Sequence, residues 1–438
     1  MKKVISIISV VLIVLGWAVV AKDVGGSFIT YEKNIAKARE SIEGGLYEQG
    51  VEYYNKALKY KDNKKLYLEI KNAYDLFYKE QDNNYSYNRY ISALETCCEK
   101  YRKNAELWDE LITEYYNNGD YDSANSAINK AKNNKVTSEN IQKIAFKVEN
   151  MYDVDFQSIS SYKIGKNKTY SVTNGNEYWI TDFNWEKTGI TYKFVGPLNE
   201  EGKGVFVDNS GSTIRDSAEI TRVKISDPVT ESGYFNSGLV PVKVGKNWIY
   251  LKADGTEAGF GDFEMAGSLC SGMGAVQKDG KWMIINSNGE SVGSGVYEEI
   301  ALDKFGCHTD GEKYLAKKDG KYGIYSVDGS LISALDAEEV NVGNFSDPIA
   351  FKSTKNEKWG FVDSSGNVVI EPKYDEAKGF SNGFAGVANS EGLWGFINSD
   401  NKLAIDNAFY YVGYFTSNKN CPVSRTEGAM GNLTFRYQ

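Results

Sequence analysis

Histidine is nearly absent from this chain of 438 residues, which contains a single one at His308. A histidine-rich metal site and a pair of histidines acting as acid and base are therefore excluded. The sequence also lacks a nucleophile elbow, a phosphate-binding loop and the spacing of zinc ligands. We therefore predict no catalytic, metal-binding or cofactor-binding residues and no cofactor, and the sequence does not identify ligand-binding residues. His308, beside Cys307, is interpreted as a loop residue.

Basic residues are outnumbered by acidic ones, with 50 Lys and Arg against 59 Asp and Glu and a net charge of −9. Affinity for a nucleic acid depends on clustered Lys and Arg side chains that displace counterions from the phosphate backbone. No such cluster occurs in the sequence. We predict that the chain has no nucleic-acid partner.

Cysteine is sparse and odd in number, with five residues at Cys97, Cys98, Cys270, Cys307 and Cys421. Small disulfide scaffolds carry an even and dense set, so most of these thiols are predicted to be free and buried. Cys97 is interpreted as an alanine-like packing position. A Cys270–Cys307 bridge between neighbouring β-repeats stays open, because spacing alone does not fix connectivity.

Charge is absent from Val4 to Val20, a run of 17 apolar or small residues that follows Lys2 and Lys3. This length is near the lower limit for a spanning helix and exceeds the core of a signal peptide. We predict that residues 1–21 anchor the protein once in the cell membrane. The two lysines place the N-terminus inside and the bulk of the chain outside the cytoplasm. The alternative is secretion after cleavage near Ala21.

Glycine and proline divide the rest of the chain. Residues 31–152 contain four glycines and no proline, whereas residues 153–438 contain 36 of the 43 glycines and all six prolines. Both residue types disfavour helix interiors and supply turn geometries. We therefore predict a linker over 22–30, a helical domain over 31–152 and an all-β domain over 153–438.

A repeat is present in the helical part when Tyr47, Tyr87 and Tyr121 are aligned. Small residues then recur ten positions later, at Ala57, Cys97 and Ala131. The best-kept unit runs from Trp108 through Leu111, Tyr115, Gly119, Tyr121, Ala124 and Ile128 to Ala131, and it resembles the tetratricopeptide repeat. The resemblance implies stacked helix pairs and, in general terms, partner binding. Ser138 is predicted to cap a last helix, from Glu139 to Met151.

A second repeat occupies the β part and is centred on an aromatic strand. Its anchors are Trp248, Trp282, Tyr322, Trp359 and Trp394, with a weaker copy at Gly204. Seven positions after each anchor stands a residue that tolerates positive φ: Gly255, Gly289, Gly329, Gly366, Asn401 and Gly211. We predict a hairpin turn with a left-handed position at each of them, and Asn401→Gly is expected to be neutral or better. Asp208 and Asp363, which open two of these turns, lack the alternating carboxylates of a calcium loop.

Residues 356–397 combine Trp359-Gly360-Phe361, Gly366-Asn367, Glu371-Pro372-Lys373-Tyr374 and Phe380-Ser381-Asn382-Gly383, and they resemble the WG-repeat family. Anchor spacings of 34 to 44 residues suit short antiparallel sheets, so a propeller-like ring is favoured and a β-solenoid is second. The tail Asn432–Tyr437 is predicted to close the ring by pairing near 168–173 or 178–181. Where Trp-Gly is replaced by Trp-Ile or Trp-Met, close packing of the backbone is not expected.

The sequence is interpreted as that of a membrane-tethered, extracytoplasmic protein-interaction or scaffolding module without catalytic activity. Its expected partner is a cell-envelope protein or peptide, with polysaccharide as a further candidate, because 31 tyrosines offer aromatic faces. The alternative is an envelope carbohydrate-binding protein or a hydrolase that uses surface carboxylates. Glu298-Glu299 and Glu338-Glu339 are the candidate pairs, although adjacent side chains alternate across a strand and neither pair is expected to converge.

Overall fold

The computed structural model describes residues 28–157, 161–164, 169–182, 186–216, 222–293, 295–426 and 429–437. The chain divides into two compact units, the first reaching Glu149 and the second beginning at Asn150. The first strand, β1, is Tyr152–Gln157. Residues 28–30, placed in the linker from the sequence, are already helical, whereas the anchor proposed for 1–21 lies outside the described residues. Among the residues described, no helix is both long and apolar enough to cross a membrane.

Seven helices form the described part of the first unit, numbered α1 to α7 in chain order. Their bounds are 28–43, Tyr47–Leu58, Lys64–Gln81, Asn84–Lys100, Ala105–Asn117, Tyr121–Asn133 and Glu139–Glu149. Ala57, Cys97 and Ala131 are fully buried, as expected for small residues where helices pack closely. The Ser138 hydroxyl accepts a hydrogen bond from the Ile141 amide at 3.0 Å, so the predicted cap of the last helix is confirmed. The tetratricopeptide resemblance stays a prediction.

The second unit contains eight antiparallel sheets in its described residues, which we number as blades 1 to 8. Blade 1 holds β2 Ser161–Ile164, β3 Tyr170–Thr173, β4 Tyr178–Thr181 and β5 Lys187–Tyr192; blade 2 holds β6 Phe194–Val195, β7 Lys203–Asp208, β8 Gly211–Asp216 and β9 Arg222–Lys224. Blade 3 holds β10 Val229–Ser232, β11 Leu239–Val244 and β12 Asn247–Lys252; blade 4 holds β13 Met265–Ala266, β14 Met273–Lys278 and β15 Lys281–Asn286. Blade 5 holds β16 Glu299–Ile300, β17 Lys313–Lys318, β18 Lys321–Ser326 and β19 Leu331–Leu335; blade 6 holds β20 Ala337–Asn341, β21 Ile349–Ser353, β22 Trp359–Val362 and β23 Val368–Tyr374. Blade 7 holds β24 Glu376–Ala377, β25 Phe384–Ala388, β26 Trp394–Asn398 and β27 Leu403–Phe409; blade 8 holds β28 Tyr411–Val412, β29 Asn420–Thr426 and β30 Ala429–Phe435, together with β1.

The two ends of the second unit meet in blade 8. β1 pairs antiparallel with β30, from Tyr152 opposite Phe435 to Gln157 opposite Met430. This pairing closes the sheets into an eight-bladed β-propeller, so the ring is confirmed over the solenoid. The partner predicted for the tail was wrong, because the strands over 170–173 and 178–181 pair with each other inside blade 1. Val154 and Phe156 instead pack on the blade 8 core.

Among the five blades with an aromatic anchor, the three in which glycine follows the anchor have a regular fourth strand. A Cβ atom at Gly360 would lie 2.6 Å from the Ile370 carbonyl oxygen, and one at Gly395 would lie 2.5 Å from that of Ile405, on the fourth strands of blades 6 and 7. In blades 3 and 4 the equivalent residues are Ile249 and Met283. There the fourth strand is reduced to isolated bridges. The expected loss of close backbone packing is therefore confirmed for these two blades.

The anchor assigned at Gly204 was misplaced by one strand. Gly204 lies in β7, the second strand of blade 2, whereas the five aromatic anchors lie in third strands. The third strand of blade 2 is β8, in which Ser212 pairs with Val207 and stands at the position that the aromatic anchor has in the other third strands. This replacement removes the aromatic signal from blade 2.

Candidate binding cavity at the centre of the ring

A short motif ends the first strand of five blades. It consists of glycine, a variable residue and then Phe or Leu, and it occurs at Gly196-Pro197-Leu198, Gly233-Tyr234-Phe235, Gly267-Ser268-Leu269, Gly343-Asn344-Phe345 and Gly413-Tyr414-Phe415. The Phe or Leu is buried in every copy. The glycine permits close approach of neighbouring blades, since a Cβ atom at Gly343 would lie 2.4 Å from the Phe380 carbonyl oxygen. The variable residue of all five copies lines one cavity.

This cavity has a volume of about 560 Å³ and is bordered by blades 2 to 8 among the described residues. Its lining falls at or just after the first strands, so these strands face the centre of the ring. The side chains that line it include those of Glu200, Tyr234, Lys304, Phe305, Asn344, Asn382, Tyr411, Tyr414, Ser417 and Asn418. We call this space the central cavity.

Aromatic rings form much of its wall. Tyr234 of blade 3 and Phe305 of blade 5 meet edge to face, with ring centroids 5.2 Å apart and an interplanar angle of 84°. Ser268, from the blade between them, accepts the Tyr234 amide hydrogen at 3.1 Å and donates to the Phe305 carbonyl at 3.0 Å. The orientation of both rings is therefore fixed by contacts that cross three blades.

Lys304 reaches from blade 5 to blade 8. Its ammonium donates to the carbonyl oxygen of Phe415 at 2.9 Å and to the hydroxyl of Ser381. The Asn382 amide group donates to the same carbonyl at 2.8 Å. A single backbone oxygen thus ties the loops of three blades together at the cavity wall.

Tyr411 and Tyr414 form the blade 8 side of the cavity. The Lys378 ammonium lies 4.4 Å from the Tyr411 ring centroid and 5.4 Å from that of Tyr414. Tyr414 donates its hydroxyl hydrogen to Asn341 Oδ1 at 2.7 Å. Burial raises the pKa of Tyr414 to about 12 and lowers the pKa of Lys378 below its ordinary value. Tyr414 is therefore neutral at physiological pH, and its side chain is positioned by Lys378 at the ring and by Asn341 at the hydroxyl group.

A disulfide lies next to this wall. Cys270 and Cys307 are bridged, with Cα atoms 5.6 Å apart, so the bond that the sequence left open is present. It joins the loop after Ser268 to the loop that carries Lys304 and Phe305. Cys97, Cys98 and Cys421 are free and buried, as predicted.

His308 follows the disulfide and is completely buried. Neither ring nitrogen has a hydrogen-bond partner among the described residues, and the imidazole packs against Tyr314 with ring centroids 6.2 Å apart. Burial lowers its pKa to about 4. His308 therefore lies in the loop between β16 and β17, as expected, and is buried there in the core of blade 5. Across the described part of the chain, no group of three or more His, Cys, Asp or Glu residues could hold a metal ion.

The carboxylates of both candidate acid pairs have hydrogen-bond or ion-pair partners. Glu298 accepts the Gly320 amide hydrogen at 3.2 Å, and Glu299 accepts the Tyr322 hydroxyl hydrogen at 2.5 Å. Their side chains serve different partners, as expected for neighbours on a strand. None of these four groups lines the central cavity.

Glu338 and Glu339 depart from the expectation, because both carboxylates reach the Lys352 ammonium, at 3.7 and 3.1 Å. A register shift between Ala337 and Glu339 breaks the alternation of side chains and allows this convergence. The charge of Lys352 offsets theirs, so this pair serves the packing of β20 on β21.

The turn residues behave as predicted at the five aromatic anchors. Gly366 has φ +87° and Asn401 has φ +58°. Asn401 contributes more than its backbone angle, since its Oδ1 accepts the Tyr374 hydroxyl hydrogen at 2.6 Å. Asn401→Gly is therefore expected to cost about 1 kcal/mol and not to be neutral. Asp208 accepts hydrogen bonds from Arg215 and Arg222, which agrees with a hairpin and not with a calcium loop.

The last two complete repeats carry the likeness to a known family. Residues 359–390 and 394–424 match the WG containing repeat. No curated protein matches the chain. Solved structures similar to it include Hsv2 of Kluyveromyces lactis, at 12% identity over 55% of this chain and 97% of that chain, with a TM-score of 0.35. The Neurospora crassa Pan2 WD40 domain is similar at 12% identity over 56% of this chain and 90% of that chain, with a TM-score of 0.32. The WD40 propeller of Doa1 is similar at 10% identity, 64% and 97% coverage and a TM-score of 0.34.

Proposed function

We propose that the protein is a membrane-tethered, extracytoplasmic scaffold that binds a cell-envelope protein or peptide and carries out no reaction. The observation that carries the proposal is the closed ring of eight blades around one cavity whose wall is fixed by contacts between blades. A rigid wall lowers the conformational entropy lost on binding. Among the described residues, the lining contains one carboxylate, that of Glu200.

The location rests on two independent features of the chain. The uncharged segment Val4–Val20 after Lys2 and Lys3 favours a single anchor with the bulk outside. The Cys270–Cys307 bridge is of the kind that persists in oxidising compartments outside the cytoplasm. Both features support the tethered, outward-facing arrangement.

The proposal is tested with a photoreactive amino acid placed at single positions of the full-length protein in living cells. Tyr411 borders the central cavity, and Tyr60, 53% exposed, represents the helical unit. Ile190, 56% exposed on the fourth strand of blade 1, serves as the control site. We expect a discrete adduct with an envelope protein from Tyr411 or Tyr60 and none from Ile190. Absence of adducts at both test positions, with hydrolysis of an envelope polymer by the purified protein, would contradict the proposal.

A further inference from the structure

We propose that the central cavity is a binding site for a short neutral oligosaccharide. The inference rests on the proposed function in one respect, namely that the site binds its ligand and does not convert it. It concerns a different occupant from the protein partner, and the two can therefore fail separately.

The size of the cavity matches a small ligand. A volume of about 560 Å³ falls within the usual range of sites that enclose most of a small molecule. A folded protein domain is excluded by this volume, whereas a few sugar rings or a short peptide can enter. The chemistry of the lining decides between these two.

Four aromatic residues and two asparagines line the cavity. Tyr234, Phe305, Tyr411 and Tyr414 present ring faces or edges, which match the apolar C–H face of a pyranose. The hydroxyl groups around the edge of a sugar ring need both donors and acceptors beside those aromatic rings, because each sugar hydroxyl donates and accepts.

Two asparagines supply this pair of functions. The Asn382 amide nitrogen donates to Phe415 and Ser381, which orients the side chain, while no described residue donates to its Oδ1. Asn344 is the complement, since its Oδ1 accepts the Ser346 amide hydrogen at 3.5 Å and its Nδ2 has no acceptor among the described residues. One amide therefore offers an acceptor and the other a donor at the same cavity.

The charge of the lining favours a neutral ligand. Glu200 and Lys304 are its carboxylate and its ammonium, and they are of opposite sign. Lys304 is directed at the Phe415 carbonyl oxygen, 2.9 Å away. A phosphorylated or polyanionic ligand requires a cluster of cations, which this wall does not have. A lone carboxylate also cannot provide the acid and the second carboxylate that glycoside hydrolysis needs.

The test is calorimetric titration of the full-length protein, in a detergent without a sugar headgroup, with neutral tetrasaccharides. The panel contains β-1,4-linked glucose, β-1,4-linked N-acetylglucosamine and α-1,4-linked glucose, with a tetragalacturonate and a neutral tetrapeptide as the competing classes. We expect binding of at least one neutral saccharide. Tyr411→Ala should weaken it roughly tenfold, since an aromatic contact and its buried area are lost, while Tyr411→Phe should keep it.

The matched control is the adjacent residue. Tyr410 is 59% exposed and does not border the cavity, so Tyr410→Ala should leave the affinity unchanged. Asn344→Ala is a second cavity variant that removes no ring. Failure of every neutral saccharide to bind, stronger binding of the peptide or the polyanion, or an equal loss in Tyr410→Ala would overturn the inference. A photo-adduct at Tyr60 without saccharide binding would support the proposed scaffold function and contradict the saccharide site. Cleavage of a bound saccharide would contradict the proposed non-catalytic function itself.

Discussion

Single residues determine how tightly the turns between the third and fourth strands can close. Gly366 combines a left-handed backbone with no space for a side chain, because a Cβ atom would lie 2.5 Å from the Ser333 hydroxyl oxygen. Gly280 also has a positive φ, of +70°, but nothing lies within 4 Å of its Cβ position. These two glycines separate the cost of backbone strain from that of a steric clash.

Replacing Gly366 by Val is expected to lower the free energy of unfolding by about 3 kcal/mol, since strain and clash add. Gly280→Val should cost about 1–2 kcal/mol, because only the strain applies. Chemical denaturation of both variants measures the difference. Equal stability of Gly366→Val and the wild type would contradict a left-handed backbone conformation at Gly366.

His308 is the single histidine of the chain and gives stability a pH dependence that can be isolated. Burial lowers its pKa to about 4, whereas the unfolded chain titrates near the ordinary value of about 6.5. The unfolded state therefore takes up the proton first as the pH falls. The stabilisation is fully present above about pH 6.5 and is lost towards pH 4, by about 3 kcal/mol.

The comparison of wild type with His308→Phe across pH 7 to 4 isolates this contribution from that of the carboxylates. The wild type should lose about 3 kcal/mol more than the variant over this range. Parallel pH curves for the two proteins would show that His308 is not buried in its neutral form.

At the level of strands and blades, the glycine after the aromatic anchor lies against the fourth strand in blades 5 to 7. A Cβ atom at Gly395 would lie 2.5 Å from the backbone oxygen of Ile405, whereas one at the equivalent Gly323 of blade 5 would lie 2.6 Å from the end of the Leu331 side chain. A backbone cannot move aside without loss of pairing, but a leucine methyl group can rotate.

Gly395→Ala is therefore expected to destabilise the protein by about 2–3 kcal/mol, and Gly323→Ala by about 1 kcal/mol or less. Thermal unfolding of both variants, with hydrogen exchange of the β27 amides, provides the measurement. A larger loss in Gly323→Ala than in Gly395→Ala would contradict this explanation of the three-stranded blades.

The blades that could be predicted from the sequence are those that keep an aromatic anchor followed by a turn glycine. Blade 8 lacks the aromatic anchor, and its strands come from opposite ends of the unit, 152–157 and 411–435. Blade 2 has Ser212 at the anchor position, and its third strand buries Arg215 in an ion pair with Asp208. Pairing between distant segments and ion pairs inside a sheet are invisible to periodicity.

The central cavity was missed for a different reason. Five of its residues stand at the variable position of the glycine–variable–Phe or Leu motif, and no single residue type is common to all five copies. The constant glycine and the buried Phe or Leu on either side were the available signal, as at Gly233 and Phe235. The recurring glycine and Phe or Leu of this motif would have predicted that Tyr234, Asn344 and Tyr414 lie on one inner surface.

At the scale of the whole molecule, the proposed function requires a binding ring that faces outward from the cell. The native thiols give a clean background for testing it, since Cys97, Cys98 and Cys421 are buried and the other two cysteines form a disulfide. Ser417 is exposed and borders the central cavity. A thiol introduced by Ser417→Cys is therefore the accessible one among the described residues.

The most direct measurement is labelling of Ser417→Cys in intact cells with a maleimide that does not cross membranes. The predicted result is full labelling before lysis, no labelling of the native protein, and retention of the protein in the membrane fraction. Labelling that occurs only after lysis would place the cavity on the cytoplasmic side and contradict the central claim.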